Sequence, residues 1–452
     1  MLSFKNSRGI LSVLLLAVTL TSSLWATNGY FRHGYGIHYR GLAGAGVALS
    51  LSPMGMASNP AGIVFLQRQL DLGLAFFNPN RDYTVSGSPS GFPFTFPLTP
   101  GTVESGSTLF PIPFVGFSYS LDDNNALGFA LYGNGGMNTD YDAKTFNDPR
   151  LDFSAPTGVN LNQLFVSATY SRQIVPGHAL GISGIFAYQM FKAEGLLALS
   201  GFSGDPTHFT NNDNASSTGF GARIGYMGHF GEYLSVGASY QTLISMSEFS
   251  EYAGLFAEGG KFDIPANWVA GVAVKITPQL TVAADIQQIL YSGVPAIANP
   301  MDLENNPPYI PNPNADPTDP STFMMLNPNF VPLGSDDDLA WGFGWDDILV
   351  FKFGAQYQLA TGTWLRAGFS TGDQPVQESE VLFNILAPGV IKNHLTFGAS
   401  HQINPRFTLN GGFMYGFSEA VVGNNPFEAP SQQEIEIQMN QMEFELGLSI
   451  NL

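Results

Sequence analysis

The 452-residue sequence contains no cysteine, has few charged residues and, beyond its N-terminal region, has no long apolar run. The lack of cysteine excludes a disulfide framework and thiolate metal sites. A transmembrane helix needs about 18 consecutive apolar residues, and no later segment reaches that length. Basic residues are also scarce, and the formal net charge of -19 argues against a nucleic-acid partner, because a phosphate backbone requires a basic surface.

The N-terminus has the layout of a secretory signal peptide. Lys5 and Arg8 form a positively charged region, and residues 10–20 form a short apolar one that leads to Ala26. The apolar run is too short to span a bilayer, so a retained helical anchor is the less favoured alternative. We therefore expect a signal peptide over residues 1–26, with cleavage after Ala26.

What the sequence does contain is a two-residue alternation of apolar side chains with polar or small ones. At the C-terminus, Met442, Phe444 and Leu446 are apolar and alternate with Glu443 and Glu445. This alternation is typical of strands with one face against lipid and the other against a polar lumen. Helical periodicity is nearly absent. Further alternating segments begin at Leu234, Leu280, Leu395 and Phe407.

Short and long connections alternate between these segments. Residues 122–125 and 404–405 are short connections, whereas residues 79–110 and 293–347 are long ones. Outer-membrane barrels show this pattern, with tight periplasmic turns and long extracellular loops. We therefore predict an all-β fold over residues 70–452: a transmembrane antiparallel β-barrel of about 14 strands in the outer membrane of a Gram-negative bacterium.

Residues 27–69 precede the first expected strand and do not alternate. Aromatic residues such as Tyr30, Phe31 and Tyr35 make this segment too apolar for a solvated tail. A wide barrel also needs a plug if it is not to leak. We therefore expect residues 27–69 to form a hatch inside the lumen.

The same segment carries a family resemblance. Residues 41–48 and 57–62 resemble the hatch of the FadL/TodX family of outer-membrane fatty acid and hydrocarbon transporters. Asn59-Pro60-Ala61 is the most specific element of this resemblance. One departure is the C-terminal Leu452, where such barrels commonly end in Phe, which bears on recognition by the barrel assembly machinery. The resemblance covers essentially the whole mature chain and continues through residues 133–141, 262–266 and 276–285.

Three glycines, Gly133, Gly135 and Gly136, lie at the end of the third expected strand. Missing side chains weaken a strand ladder there and favour a bulge or kink. In the FadL/TodX family a kink in this strand opens a gap in the wall beside the hatch. The resemblance therefore implies lateral release of ligand into the membrane, with Asn59 and Pro60 bracing the hatch against the gap. The alternative is that the glycines simply begin an extracellular loop.

Apolar residues in the long loops are candidates for the first capture of a hydrophobic ligand. Such residues mark either a binding surface or the internal packing of loops that fold over a barrel mouth. The resemblance favours capture, because the outer loops of the family form a hydrophobic groove. The candidates are Phe92, Phe94, Phe96 and Leu98 in the first long loop, and Phe249, Leu255 and Phe256 in the fourth.

A ligand with a carboxylate should meet a cation in the lumen. Strand parity points Arg223, Lys352 and Arg366 inward, as possible head-group contacts. The alternative is a structural role, with ion pairing to lumen carboxylates such as Asp285. Acidic loop residues are a candidate calcium site, although a solvated loop is favoured because the EF-hand spacing is absent; they are Asp316, Asp319 and Asp336 to Asp338.

Catalytic motifs are absent from the sequence. The seven histidines show no metal-binding spacing, and no Gly-x-Ser-x-Gly elbow occurs. We therefore expect a monomeric transporter that is not an enzyme and uses neither cofactor nor metal. Its expected partners are a hydrophobic small molecule, outer-membrane lipid and lipopolysaccharide, and the barrel assembly machinery. The alternatives are a general or specific porin, which would not need a plug before its first strand, and a structural barrel or adhesin.

Overall fold

A computed structural model of the chain describes residues 28–146 and 156–452. The expected signal peptide, residues 1–26, lies outside the described residues. Within them, no helix has both the length and the apolar character needed to cross a membrane.

The described chain is dominated by fourteen antiparallel strands, which we number in chain order. They are β1 Gln69–Gly87, β2 Phe110–Asp122, β3 Asn125–Asn138, β4 Gly158–Val175, β5 His178–Glu194, β6 Ala215–Phe230, β7 Leu234–Gln241, β8 Ala266–Lys275, β9 Leu280–Leu290, β10 Ile348–Ala360, β11 Thr363–Gly372, β12 Asn393–Gln402, β13 Phe407–Asn424 and β14 Gln433–Asn451.

The remaining elements are short. Four short strands are Gly101–Glu104, Ser245–Met246, Tyr309–Pro311 and Met324–Leu326. The α-helical turns are Ile37–Arg40, Ala257–Gly260, Pro295–Ala298 and Val381–Asn384. The 3₁₀ turns are Pro53–Ala57, Pro60–Phe65, Leu197–Phe202, Pro206–His208, Ser250–Tyr252, Tyr291–Gly293, Pro320–Thr322 and Glu378–Glu380.

The fourteen strands form a closed barrel. Each strand pairs with the next one in the chain, and β14 pairs back to β1 from Gln69↔Asn451 to Gly87↔Gln433. Closure removes the free sheet edges that would otherwise expose unpaired backbone groups. The predicted fold class is therefore confirmed, including the strand number.

Side chains alternate across the wall as the sequence predicts. On β14, Phe444 and Leu446 are 55% and 66% exposed on the outer face, whereas Glu443 and Glu445 are 2% and 3% exposed on the inner face. In lipid, the outer face must be apolar, because a charge there would lose its hydration without gaining a partner. The barrel is therefore apolar outside and polar inside.

Two strands are longer than the alternation indicates. Strand β1 continues to Gly87, although the sequence predicts a long connection over residues 79–110. Strand β13 continues to Asn424, although the sequence also predicts a long connection over residues 418–434. Beyond the lipid, the outer face of a strand no longer has to be apolar, so the alternation fades while the hydrogen-bonded pairing continues. A bulge between Gly416 and Glu419 marks the change on β13.

Residues 28–66, here called the N-terminal segment, lie against the inner face of the barrel. Gly41 packs on Gly398 of β12, and Met54 packs on Gly116 of β2. On the opposite side, the carboxylate of Asp285 on β9 accepts hydrogen bonds from the backbone of Gly46 and Val47, at 2.7 and 2.9 Å. The segment thus contacts strands around the whole circumference.

Candidate transport pathway

The Asn59-Pro60-Ala61 motif begins the 3₁₀ turn Pro60–Phe65. The side-chain oxygen of Asn59 accepts a hydrogen bond from the N–H of Ala61 at 3.0 Å, and Pro60 occupies the first position of the turn. This is a local N-cap, in which proline fits because its missing N–H is not needed. The amide nitrogen of Asn59 also donates to the carbonyls of Val47 and Tyr226, at 2.7 and 2.9 Å. The motif therefore fastens the N-terminal segment to β6.

Two wall glycines allow this close approach. A Cβ on Gly181 would overlap the backbone of Pro60 and Ala61, and a Cβ on Gly225 would overlap the side chain of Asn59. The motif thus lies against β5 and β6. The glycines of β3 are contacted by a different part of the N-terminal segment, around Tyr30 and Phe31.

The wall has a gap between β2 and β3. Their pairing runs from Asp122↔Asn125 to Phe114↔Tyr132 and does not continue along the described residues 110–113 and 133–138. On the other side of β3, pairing to β4 skips one residue between Gly133 and Gly135. The glycine cluster therefore forms a bulge beside the place where β2 and β3 separate.

A proline explains why the pairing stops where it does. The N–H of Gln173 on β4 donates to the carbonyl of Asn124, just before β3. In an antiparallel strand, successive residues form their backbone hydrogen bonds to opposite neighbours. Because the even-numbered Asn124 bonds to β4, the odd-numbered residues of β3 bond to β2. Pro113, the residue due to donate to Gly133, has no N–H. Pro111, two residues further on, has none either.

The N-terminal segment covers this gap from the inside. The N–H of Arg32 donates to the carbonyl of Asn134 at 2.9 Å, and the N–H of Gly136 donates to the carbonyl of Tyr30 at 3.3 Å. A Cβ on Gly135 would overlap the carbonyl of Tyr30, so glycine is required for this contact.

An inner cavity of about 410 Å³ extends from the centre of the lumen to the gap. Its inner end is lined by Arg40 and Glu443, and its outer end by Ile112 and Gly133. Met190, which is 43% exposed on the outer face of the wall, also lines it. The cavity therefore joins a polar lumen to the part of the wall that is not closed by strand pairing.

Ion pairs between two arginines and two glutamates hold the N-terminal segment to β14 at the inner end of the cavity. Arg32 Nη2 lies 2.9 Å from Glu443 Oε2, and Arg40 Nε lies 3.2 Å from Glu445 Oε1. Arg40 is also paired with Glu443. Arg40 and both glutamates are buried, and the side chain of Arg32 is only 9% exposed. The two positive charges balance the two negative ones, which is the condition for tolerating buried ions.

His33 lies next to these ion pairs. Its Nε2 is 2.6 Å from the hydroxyl of Ser370, and its ring packs 4.5 Å from that of His394, centroid to centroid. Burial is the main reason that the pKa of His33 lies well below its ordinary value, and nearby side chains lower it further, namely His394, Lys352 and Arg40. Its imidazole is therefore neutral at pH 7.

A smaller cavity of about 40 Å³ lies among the extracellular loops. Its lining is apolar, with Phe191, Phe256 and Phe343 among the contributing side chains. Aromatic residues separate it from the inner cavity: Tyr30 packs against Phe262, Tyr291 and Trp345, with ring centroids 6.3, 5.7 and 6.0 Å apart. Phe262 in turn packs on Phe256 at 4.9 Å. A continuous aromatic partition thus separates the two cavities.

The capture candidates fall into three groups. Phe92 and Phe94 are 65% and 42% exposed on the first long loop. Leu255 and Phe256 line the smaller cavity among the extracellular loops, and Phe249 is buried against Phe191. Phe96 is half-buried and stacks on Phe146, and Leu98 is buried.

The three cations chosen by strand parity are buried, but none lines the inner cavity. Arg223 donates to the side chain of Gln241. Lys352 lies opposite Asp285 in the strand register and donates to the carbonyl of His33 at 3.2 Å. Arg366 donates to the side chains of Gln356 and Ser400, both at 2.7 Å.

The acidic loop residues do not converge. In the part of the chain that the structure describes, no group of three or more His, Asp or Glu side chains is placed to hold a metal ion. Asp337 is exposed and accepts the N–H of Leu339 at 3.0 Å. Asp316 and Asp319 likewise accept N–H groups two residues ahead, so these carboxylates stabilise their own turns.

Sequence reasoning missed several residues of the pathway. Arg32 and Arg40 lie in the N-terminal segment, which has no strand parity to orient them. Pro111 and Pro113 carried a usable signal, because two prolines in an apparent strand indicate that one edge does not pair. The inward position of Glu443 and Glu445 was expected, but their partners were not.

Comparison with known proteins gives a consistent result. A family model described as outer membrane protein transport protein (OMPP1/FadL/TodX) matches residues 19–451. No curated protein sequence matches the chain. The solved toluene transporter TodX of Pseudomonas putida is 18% identical with a TM-score of 0.62, over 93% of this chain and 99% of that one.

Two further solved structures are similar. A FadL homologue of Pseudomonas aeruginosa is 15% identical with a TM-score of 0.64, over 94% of this chain and 99% of that one. The toluene transporter TbuX of Ralstonia pickettii is 18% identical with a TM-score of 0.58, over 93% and 99% of the two chains. At these identities, the solved structures establish a shared fold.

Proposed function

Because this outer-membrane chain belongs to the outer membrane protein transport family (OMPP1/FadL/TodX), we propose that it carries long-chain fatty acids or hydrocarbons into a Gram-negative cell. The family and its solved members indicate transport of hydrophobic compounds, and two of those members are named as toluene transporters. Transport of this kind requires capture and release, with no bond made or broken. Both cavities and the gap in the wall lie within one barrel, so the proposal requires only one chain.

Capture begins at the extracellular loops. Phe92 and Phe94 offer exposed aromatic surface, and Leu255 and Phe256 line the apolar cavity below. Burying apolar surface contributes about 0.8 kcal/mol for each methylene group of the ligand. A hydrophobic molecule is thereby drawn from the cell surface into the loops.

The N-terminal segment acts as the hatch between the two cavities. Its residue Tyr30 belongs to the aromatic partition, and its residues Arg32 and Arg40 are held by β14. Passage of ligand requires Tyr30 to move away from Tyr291 and Trp345. The ion pairs keep the rest of the segment in place, so the lumen stays filled.

Release is lateral, through the gap between β2 and β3 into the membrane. The observation that carries this proposal is the inner cavity, which extends from Arg40 in the lumen to Ile112 and Gly133 at the gap. An apolar ligand is favoured in the hydrocarbon of the membrane over the aqueous periplasm. On the lumen side, Tyr30 and Arg32 bond to the backbone of β3, and the hydroxyl of Tyr35 donates to the side chain of Asn134 at 2.7 Å.

Filling the gap with a side chain tests the lateral route. A Cβ on Gly133 would lie 2.9 Å from Cγ2 of Ile112, so Gly133→Leu places three further carbons in the opening. We expect uptake of a radiolabelled fatty acid by cells that lack their own transporter to fall strongly. Gly184→Leu is the matched control, because Gly184 is exposed on the outer face of β5 with no atom within 4 Å of its Cβ position.

Undiminished uptake by folded Gly133→Leu protein would discard lateral release. Single-channel conductance distinguishes the proposed transporter from the porin alternative. A barrel filled by the N-terminal segment should be nearly silent in a planar bilayer, whereas a porin would pass ions steadily.

A further inference from the structure

A third cation lines the inner cavity, at its outer end, and unlike Arg32 and Arg40 it has no carboxylate partner in the described chain. Arg81 of β1 is 6% exposed and lines the cavity together with Phe77 and Phe110. Its guanidinium donates to the carbonyl oxygens of Asn138 and Ser107, the latter at 2.6 Å. Its Nε has no hydrogen-bond partner, and no ion pair to it occurs within residues 28–146 and 156–452.

The other buried cations near the lumen centre differ from Arg81. Arg32 and Arg40 are neutralised by carboxylates of β14, and Lys352 faces Asp285. Arg223 also lacks a carboxylate partner in the described chain, but it lies off the cavity. A buried charge without a counter-ion is unfavourable, and a ligand that supplies the counter-ion relieves this cost.

We propose that Arg81 binds the carboxylate head group of the transported molecule, so that the cargo is a hydrophobic carboxylic acid and not a neutral hydrocarbon. The guanidinium presents donors in a fixed plane that matches a carboxylate. Its central carbon lies 5.8 Å from the ring centre of Phe110, so an apolar chain attached to the carboxylate finds aromatic surface at once. This inference rests on the proposed function and narrows its substrate class.

The test compares two probes of equal chain length, dodecanoate and its methyl ester. Equilibrium binding to purified protein in lipid nanodiscs is measured for the wild type and for Arg81→Gln. We expect the variant to lose at least about tenfold in affinity for dodecanoate, as for a lost charge-assisted hydrogen bond. Its affinity for the methyl ester should be unchanged. Arg81→Lys keeps the charge and should retain part of the preference for dodecanoate.

Arg223→Gln is the matched comparison, because Arg223 is equally buried and lies off the cavity. The ratio of the two affinities should be the same in this variant as in the wild type. Equal losses for both probes in Arg81→Gln would assign Arg81 a structural role and overturn the inference, as would no loss for either probe. If the wild type binds neither probe, the proposed function fails, and this inference fails with it.

Discussion

Two seams of the barrel, each the line along which two neighbouring strands pair, differ in how many of their residues are paired. The seam between β1 and β14 engages every one of the 19 residues of β1, without a register shift. The seam between β2 and β3 ends at Phe114↔Tyr132 and leaves the first residues of β2 and the last residues of β3 unpaired with each other. The first joins the two ends of the chain, whereas the second joins neighbours linked by the two-residue turn at residues 123–124.

The difference shows where a barrel wall tolerates an opening. A tight turn fixes the register of β2 and β3, so this pair remains in place even when its far end separates. No turn links β1 to β14, so their register depends on continuous pairing and on matching side-chain faces. The gap therefore lies at the open end of a hairpin, and the closing seam is continuous.

The largest expected effect concerns the side chains that the continuous seam presents to the lumen. Glu443→Gln on β14 removes one of the two negative charges that balance Arg32 and Arg40. Because Glu445 can balance only one of these arginines, the buried positive charge left over should lower the free energy of unfolding by about 3–5 kcal/mol. It should also release the N-terminal segment and raise single-channel conductance. Urea titration in detergent micelles and planar bilayer recordings measure the two effects.

Glu434→Gln is the control for this variant, because Glu434 lies on the same strand and is exposed. A surface substitution of this kind should change the unfolding free energy by less than about 0.5 kcal/mol. Equal stability of the Glu443→Gln and Glu434→Gln proteins would show that the ion pairs do not hold the segment.

A smaller effect is expected from breaking the contact that covers the open seam. Gly135→Ala places a methyl group against the carbonyl of Tyr30, and overpacking of this kind destabilises by about 1–3 kcal/mol. We expect the residues around Tyr30 to leave β3, which should raise conductance with little change in overall fold. Gly184→Ala, with open space at its Cβ, should behave as the wild type. A silent Gly135→Ala channel would contradict the covering role.

The smallest effect should come from making the open seam more like the closed one. Pro113→Val restores an N–H opposite Gly133, and one added hydrogen bond contributes about 1 kcal/mol. We expect slower amide exchange over residues 133–138 and slower ligand uptake. Pro278→Val in a short turn at the periplasmic end is the control. Exchange and uptake rates equal to those of the wild type would mean that the proline does not set the end of the pairing.

The wall of the barrel was predictable from the sequence because a single physical rule governs it. Lipid on one face and a polar lumen on the other require the alternation seen from Met442 to Leu452, and the structure confirms the barrel. The alternation is required only where the strands contact lipid, which is why β1 and β13 extend further than expected. Beyond the lipid, the sequence pattern does not indicate whether backbone pairing continues.

The site was less predictable, because parity tells which face a residue occupies but not what it meets there. Arg223, Lys352 and Arg366 point inward as expected, yet each has protein partners away from the cavity. Arg81 lies on the part of β1 beyond the alternation, where parity does not indicate which way a side chain points. Phe249 is buried against Phe191 of β5, a strand distant in sequence, and no local pattern indicates such packing.

The ion pair between Arg32 and Glu443 joins residues 411 positions apart in the chain. The segment that precedes the barrel in the chain is therefore paired with the last strand of the barrel. During biogenesis Arg32 and Arg40 have no carboxylate partner until β14 is in place, whereas Asn59 bonds to β6, an earlier strand. The charges of the N-terminal segment are therefore balanced only when the wall is complete.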